Sequence, residues 1–120
     1  MTKALVVDDD PLSIEYVVEM LTTCGFMAET AVNGEEAVKK AQIEVYDLII
    51  MDIELPGMDG AAATRIIKSK PGYENTPAIA LTAYAMKGDR ERFLAEGFNE
   101  YFSKPANVAD FLKMLKKYRK

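Results

Sequence analysis

Two groups of acidic residues follow short apolar runs that have the composition of buried strands. Asp8 and Asp9 come after the run at residues 4–7, and Asp52 comes after the run at residues 48–51. If these carboxylates meet, each pair at about 4 Å repels by roughly 4 kcal/mol at an effective dielectric of about 20, so a cation must compensate. Mg²⁺ is a hard divalent ion that proteins hold with one or two carboxylates together with phosphate oxygens and water. The sequence therefore predicts a Mg²⁺ site.

A hydroxyl and an ammonium group follow two further runs of this kind. Thr82 comes after residues 78–81, and Lys104 comes after residues 100–102. Phosphoryl transfer to a carboxylate needs such groups, because metal, hydroxyl and ammonium together neutralise the moving group while the carboxylate attacks it. An ionised aspartate such as Asp52 needs no general base. Because the chain contains no histidine, histidine-based acid–base catalysis and a phosphohistidine on this chain are excluded.

The elements that must position these residues alternate between strand and helix. Apolar runs predict five strands, and the stretches between them have helical periodicity. The predicted fold is therefore α/β, a doubly wound five-stranded parallel sheet of (βα)₅ order, in which short loops bring functional residues together beyond the carboxyl ends of the strands. The strands are predicted at residues 4–7, 27–31, 48–51, 78–81 and 100–102, and the last two helices at 88–96 and 108–118.

Composition limits the class of protein. The chain has 120 residues, of which 49% are hydrophobic, which is enough for one compact core and too little for two, so we expect one domain spanning residues 1–120. A formal net charge of -4 argues against direct nucleic-acid binding. No apolar run approaches the roughly 20 residues of a membrane-spanning helix. The single cysteine, Cys24, and the lack of a recognisable secretory leader favour the cytoplasm.

Four short motifs resemble the receiver domains of two-component response regulators, and they occur in the order found in that family. The resemblance covers essentially the whole chain, and it is closest to single-domain, CheY-like receivers and to the receivers of hybrid kinases. It implies a flavodoxin-like fold for the predicted sheet. The motifs are Val-Val-Asp-Asp at residues 6–9, Met-Asp-Ile-Glu-Leu-Pro-Gly-Met-Asp-Gly at 51–60, Leu-Thr-Ala at 81–83 and Ser-Lys-Pro at 103–105.

The resemblance implies a role for each acidic position. It makes Asp52 the phosphoacceptor. It implies that Asp9 binds Mg²⁺ directly and Asp8 binds it through water, with the backbone carbonyl of Glu54 as a further ligand. Mg²⁺ is thus the cofactor that both the residues and the resemblance predict.

The resemblance also implies roles for three residues on the other side of the site. Thr82 and Lys104 are expected to bind the phosphoryl group, with a cis peptide bond before Pro105. Tyr101 is expected to be the aromatic residue that turns inward when the site is phosphorylated. By the same resemblance, Glu54 and Tyr84, each two residues beyond Asp52 and Thr82, stand where water would enter the site, and Tyr84 is expected to shield it.

The predicted function is a phosphorylation-activated switch in a two-component phosphorelay, which acts through other proteins. The donor must be a histidine kinase or a histidine phosphotransfer protein, because this chain cannot supply the phosphohistidine. A downstream protein target would read the phosphorylated state. We expect no enzymatic turnover of a separate substrate, only assistance to the chain's own phosphorylation and dephosphorylation. A free-standing regulator and a receiver excised from a hybrid kinase both fit the sequence.

Two other functions and several local interpretations stay open at this point. Asp8, Asp9 and Asp10 imitate the Asp-x-Asp motif of haloacid-dehalogenase-type phosphohydrolases, although Leu12 stands where that family has Thr or Val. A pseudo-receiver would keep the fold as a binding module without phosphorylation. An acidic run can also simply cap the following helix, as Asp10 before a proline suggests.

Three further residues are predicted from their type and position to lie in the core, at least in part. They are Met86, Phe111 and Met114. Tyr101 could likewise be a half-buried strand residue with no switching role, because tyrosine is common in strands. Ala106 stands where receivers often have a large apolar residue, so the packing of that loop should differ from the family's usual pattern.

Overall fold

The computed structural model describes residues 2–119 and contains five strands and five helices in strict alternation. The five strands and the last two helices lie within two residues of their predicted positions. The strands are β1 (Lys3–Val7), β2 (Met27–Ala31), β3 (Leu48–Asp52), β4 (Ala78–Thr82) and β5 (Glu100–Ser103), and the helices are α1 (Pro11–Thr23), α2 (Gly34–Ile43), α3 (Gly60–Lys68), α4 (Asp89–Ala95) and α5 (Val108–Tyr118).

The strands form one parallel sheet in the order β2-β1-β3-β4-β5. This confirms the predicted five-stranded, doubly wound α/β fold. The strand order reverses between β1 and β3, which are neighbours in the sheet although β2 lies between them in the chain. The loops that leave β1 and β3 at their carboxyl ends therefore diverge over opposite faces and leave a crevice between them.

Helices cover the sheet on both faces and give the molecule two layers of core. One layer packs α2, α3 and α4 against the sheet, and the other packs α1 and α5. All five residues of β3 and all five of β4 are buried. This explains why these strands are almost entirely apolar, since a parallel strand covered on both faces has no side that water reaches.

Side-chain caps fix the points at which four of the helices begin. Asp10 accepts a hydrogen bond from the Leu12 backbone N–H at 3.1 Å, and a proline occupies the first turn of α1. The capping interpretation of Asp10 is thus confirmed. Asn33, Asp59 and Asn107 accept from backbone N–H groups at the starts of α2, α3 and α5 in the same way.

The core predictions for Phe111 and Met114 are confirmed, because both residues belong to α5 and their side chains are buried. The prediction for Met86 is wrong, since its side chain is 70% exposed. Met86 lies in the loop between β4 and α4, where no helical face turns it toward the sheet.

Ala106 lies in the loop between β5 and α5 and is buried. The Tyr16 hydroxyl donates a hydrogen bond to the Ala106 carbonyl at 2.8 Å, so a residue from α1 packs over this loop. Among residues 2–119, no helix has the length and apolar character needed to cross a membrane.

Candidate functional site

Three carboxylates meet in the crevice where the strand order reverses. Asp8 directly follows β1, and Asp52 is the last residue of β3. Asp8 and Asp52 are only 1% and 2% exposed, whereas Asp9 lies at the surface. One carboxylate oxygen from each of the three residues lies within 4.8 Å of the other two. The structure thus brings together all three acidic residues that the sequence singled out, and one side of the group faces water.

Lys104 reaches this group from the loop after β5. Its Nζ lies 2.7 Å from Asp8 Oδ2 and 3.1 Å from Asp52 Oδ2. Burial lowers the pKa of Lys104, but the hydrogen bonds and charges of Asp8 and Asp52 outweigh it and hold this pKa above its ordinary value. The Lys104–Pro105 peptide bond is cis, as predicted. One ammonium group therefore joins the carboxyl ends of three strands.

Burial dominates the acidity of Asp52. Burial is the main reason why the pKa of Asp52 is raised from 3.8 to about 6. The hydrogen bond from Lys104 lowers this pKa, and the charge of Asp8 raises it. The other carboxylate oxygen, Oδ1, accepts a hydrogen bond from the Glu54 backbone N–H at 3.0 Å. The Asp52 carboxylate is therefore held by donors on both oxygens in a site that water scarcely reaches.

The start of α3 lies directly against the Asp52 backbone because residue 60 is glycine. A Cβ atom on Gly60 would lie 2.1 Å from the Asp52 carbonyl oxygen. The Gly60 N–H also donates to the Ile53 carbonyl at 3.1 Å. Gly60 thus allows a close approach that fixes the turn after Asp52 to α3.

Thr82 is the last residue of β4, next to Asp52, and its hydroxyl is already engaged in hydrogen bonds. Thr82 is 1% exposed, and its hydroxyl donates to Glu54 Oε2 while accepting from the Tyr84 N–H at 3.1 Å. The other oxygen of the Glu54 carboxylate accepts from the Ala83 N–H at 3.0 Å. The sequence analysis predicted a metal-binding backbone carbonyl for Glu54 and a place at the entrance to the site, but it did not predict these side-chain contacts. The available signal was the pairing of β3 with β4, which places residues beyond Asp52 beside residues beyond Thr82.

Tyr101 lies in β5, away from the three carboxylates. Its ring stacks on Phe93 of α4 with centroids 5.8 Å apart and an angle of 15° between the planes. Its hydroxyl oxygen is buried and has no hydrogen-bond partner among the described residues. Burial raises its pKa, as do the nearby charges of Asp89 and Glu54. The side chain is thus half-buried, with its hydroxyl enclosed between β5 and α4.

The donor set is suited to a hard divalent cation. Each of the three side chains in the cluster offers a carboxylate oxygen, and no sulfur or imidazole ligand belongs to it. Mg²⁺ prefers such oxygens and keeps part of its water shell, which the exposed position of Asp9 permits. An apolar groove of about 420 Å³ borders the site, lined in part by Leu12, Tyr16 and Lys104.

Comparison with known proteins identifies the family. Residues 4–116 match the response regulator receiver domain. The chain is 41% identical over 119 residues to hybrid signal transduction histidine kinase G of Dictyostelium discoideum, covering 97% of this chain and 4% of that protein. It is 36% identical over 114 residues to the polar-differentiation response regulator DivK of Brucella anthropi, covering 95% of this chain and 93% of that one. The chain therefore spans a small part of the hybrid kinase and nearly all of DivK.

Two solved structures have the same fold. The receiver domain of a sensor histidine kinase from Pseudomonas aeruginosa, with magnesium coordinated in its active-site cleft, superposes with a TM-score of 0.86 at 37% identity, over 98% of this chain and 96% of that one. The chemotaxis protein CheY4 of Vibrio cholerae gives a TM-score of 0.89 at 32% identity, over 99% of both chains. The sheet, the site and these matches agree: the chain belongs to the response regulator receiver family, whose members act as phosphorelay signalling switches.

Proposed function

We propose that this receiver accepts a phosphoryl group on Asp52 from a phosphohistidine of a partner protein. The observation that carries the proposal is the contact of Lys104 Nζ with both Asp8 and Asp52. An ammonium group at this point can neutralise charge on a group attached to Asp52. A buried carboxylate that served only the fold would have no need of two further acids beside it, because like charges cost free energy there.

We propose that Asp8, Asp9, Asp52 and the backbone carbonyl of Glu54 hold Mg²⁺. The cluster formed by the Asp8, Asp9 and Asp52 carboxylates supports the three side-chain ligands, and the magnesium ion in the Pseudomonas aeruginosa receiver supports the choice of metal. When bound, Mg²⁺ would neutralise charge on the phosphoryl oxygens. Without such a cation, three carboxylates face one lysine and the site repels an incoming anion.

In the proposed reaction, an Asp52 carboxylate oxygen attacks phosphorus in line with the bond to the partner's histidine. The oxygen–phosphorus bond forms as the phosphorus–nitrogen bond breaks, and the imidazole nitrogen keeps the electron pair. Lys104 and the Thr82 hydroxyl would then bind the phosphoryl oxygens. We propose that Tyr101 turns further inward as the loop after β4 follows Thr82, which presents the changed surface to a target protein.

The proposed partner is a histidine kinase or a histidine phosphotransfer protein. The absence of histidine from this chain supports a donor on another protein. The apolar groove beside Lys104 supports docking close to Asp52, because Leu12 at its edge is 76% exposed. We further propose that the protein works in the cytoplasm, whose reducing conditions suit a chain with one free cysteine, Cys24, and that residues 1–120 form one domain.

Labelling with a small phosphodonor tests the proposal. Wild-type protein incubated with ³²P-phosphoramidate and Mg²⁺ should acquire a label that hydroxylamine removes, because hydroxylamine cleaves acyl phosphates. Asp52→Asn should acquire none. Asp10→Asn is the matched control and should keep the label, since Asp10 caps α1 and does not belong to the cluster of Asp8, Asp9 and Asp52 carboxylates.

Persistence of a hydroxylamine-sensitive label in Asp52→Asn would contradict the assignment. A phosphohydrolase would instead turn over a small phosphomonoester such as p-nitrophenyl phosphate, and we expect no turnover. The capping role of Asp10 argues against that alternative, because the second acid of an Asp-x-Asp motif would have to face the site. A pseudo-receiver would take no label in any variant.

A further inference from the structure

The carboxylate of Glu54 spans two hydrogen-bond donors at the carboxyl end of β4. One oxygen accepts from the Thr82 hydroxyl, and the other accepts from the Ala83 backbone N–H at 3.0 Å. The Thr82 hydroxyl is oriented by a hydrogen bond that it accepts from the Tyr84 N–H. Because β3 and β4 pair with Asp52 opposite Leu81, these donors lie next to the proposed acceptor.

A carboxylate in this position makes the contacts that a phosphoryl group would make. Both carry negative oxygens on one central atom, and both accept charge-assisted hydrogen bonds from hydroxyl and backbone N–H donors. The two anions cannot share the donors, since like charges in contact with the same donors repel each other strongly in a site with little water. The Thr82 hydroxyl also has one proton to donate, so it serves one anion at a time.

We infer that the Glu54 carboxylate occupies the subsite for a phosphoryl oxygen, and that it must leave before Thr82 and Ala83 can bind a phosphoryl group on Asp52. The inference rests on the proposed function, because it takes Asp52 as the acceptor. Glu54 is thereby a residue that sets how readily this receiver takes up phosphoryl groups, through its side chain and independently of its backbone carbonyl.

The surroundings of Glu54 allow this exchange. The residue is exposed, and among residues 2–119 its carboxylate forms no salt bridge. Its backbone N–H is held by Asp52 Oδ1 at 3.0 Å. The side chain can therefore rotate into water while the turn after β3 keeps its shape. Glu54 competes with the incoming group without blocking the site permanently.

Binding of beryllofluoride in the presence of Mg²⁺ tests the inference, because this anion bonds to an aspartate carboxylate and imitates the acyl phosphate. Glu54→Ala removes both the charge and the hydrogen bonds, and we expect it to bind beryllofluoride about tenfold more tightly than the wild type. Glu54→Gln removes the charge but keeps an oxygen that can accept from these donors, and we expect about a threefold gain. Titration followed by tyrosine fluorescence gives the affinities.

Glu35→Ala is the charge control. Glu35 is an exposed acid in the first turn of α2, and its carboxylate lies beside Gly57. We expect the affinity of Glu35→Ala for beryllofluoride to stay within about twofold of that of the wild type. Equal affinity of Glu54→Ala and wild type, or equal gains for Glu54→Ala and Glu54→Gln, would overturn the inference, because the hydrogen bonds would then contribute nothing.

Two further measurements separate this inference from the proposed function. Failure of every protein that retains Asp52 to bind beryllofluoride, or undiminished binding by Asp52→Asn, would overturn the proposed function itself. Amide hydrogen exchange without metal or anion examines Glu54 alone. The Ala83 N–H should exchange several-fold faster in Glu54→Ala than in the wild type, with Glu54→Gln closer to the wild type. Unchanged exchange in Glu54→Ala would show that the carboxylate does not hold this donor.

Discussion

Asp52 is an acid that the fold keeps in a poorly solvated place, and this has a measurable cost. Its pKa is raised from 3.8 to about 6, chiefly by burial. The folded protein therefore binds more protons than the unfolded chain between about pH 4 and pH 6, so stability falls as the pH rises through this window. A pKa difference of about two corresponds to roughly 3 kcal/mol. The ionised carboxylate is thus a source of instability when no divalent cation is present.

We predict that Asp52→Asn is more stable than the wild type at pH 7.5 in the presence of a chelator, by about 1–3 kcal/mol. The advantage should shrink as the pH falls from 6 toward 4, because the buried wild-type carboxyl is then protonated in the folded state and its ionised form no longer costs stability. Urea denaturation at a series of pH values measures it. Asp110→Asn, at an exposed position of α5, should show no comparable pH-dependent gain. A constant difference between Asp52→Asn and wild type across this range would contradict the prediction.

At the scale of elements, the contact between α3 and the end of β3 determines where Asp52 stands. A methyl group at Gly60 would lie 2.1 Å from the Asp52 carbonyl oxygen and 2.9 Å from Ile53 Cα. These are backbone atoms, so no side chain can move aside to make room. The helix would have to shift away from the sheet, and the turn that carries Glu54 would shift with it.

We predict that Gly60→Ala lowers the free energy of unfolding by about 2–3 kcal/mol, at the upper end of the usual cost of overpacking. Gly34→Ala is a matched control at the start of α2, where the nearest atoms are side-chain atoms of Met58 and Ala63 at 3.1–3.3 Å. We expect a smaller loss there because contacts of this length are relieved by shifts of a few tenths of an ångström. Urea denaturation of both variants gives the comparison, and equal losses would refute the special role of the α3 contact.

For the whole molecule, the group of carboxylates links metal binding to folding. A cation that binds the folded chain but not the unfolded chain stabilises the folded state. The gain is about 2.7 kcal/mol when the cation concentration is a hundred times the dissociation constant. We predict that Mg²⁺ raises the melting temperature of the wild type and that Asp9→Asn largely abolishes the increase. Asp10→Asn should keep it, because asparagine still caps α1. Thermal melts with and without Mg²⁺ measure the increase in melting temperature. An increase in Asp9→Asn as large as in the wild type would contradict the proposed Mg²⁺ site.

Most of this architecture could be predicted from the sequence because parallel strands covered on both faces must be apolar throughout. The runs that became β1, β3 and β4 therefore stood out, and the parallel order then brought Asp8, Asp52 and Lys104 to one edge. The side chain of Glu54 could not be placed in this way, because a loop has no periodicity that fixes the direction of a side chain. Met86 was mispredicted for the same reason: it lies in a loop, and its apolar type alone suggested burial.

The stacking of Tyr101 on Phe93 has a practical consequence for spectroscopy. The chain contains no tryptophan, so tyrosine dominates its near-ultraviolet absorption and emission. Tyr84 is exposed, the Tyr16 hydroxyl is bonded to a carbonyl, and Tyr101 is stacked with its hydroxyl enclosed. These three rings lie in or beside the elements that carry the site, and each has a different electronic environment. The unmodified protein therefore carries its own optical reporters of the region that phosphorylation would rearrange, and no dye or engineered fluorophore is required.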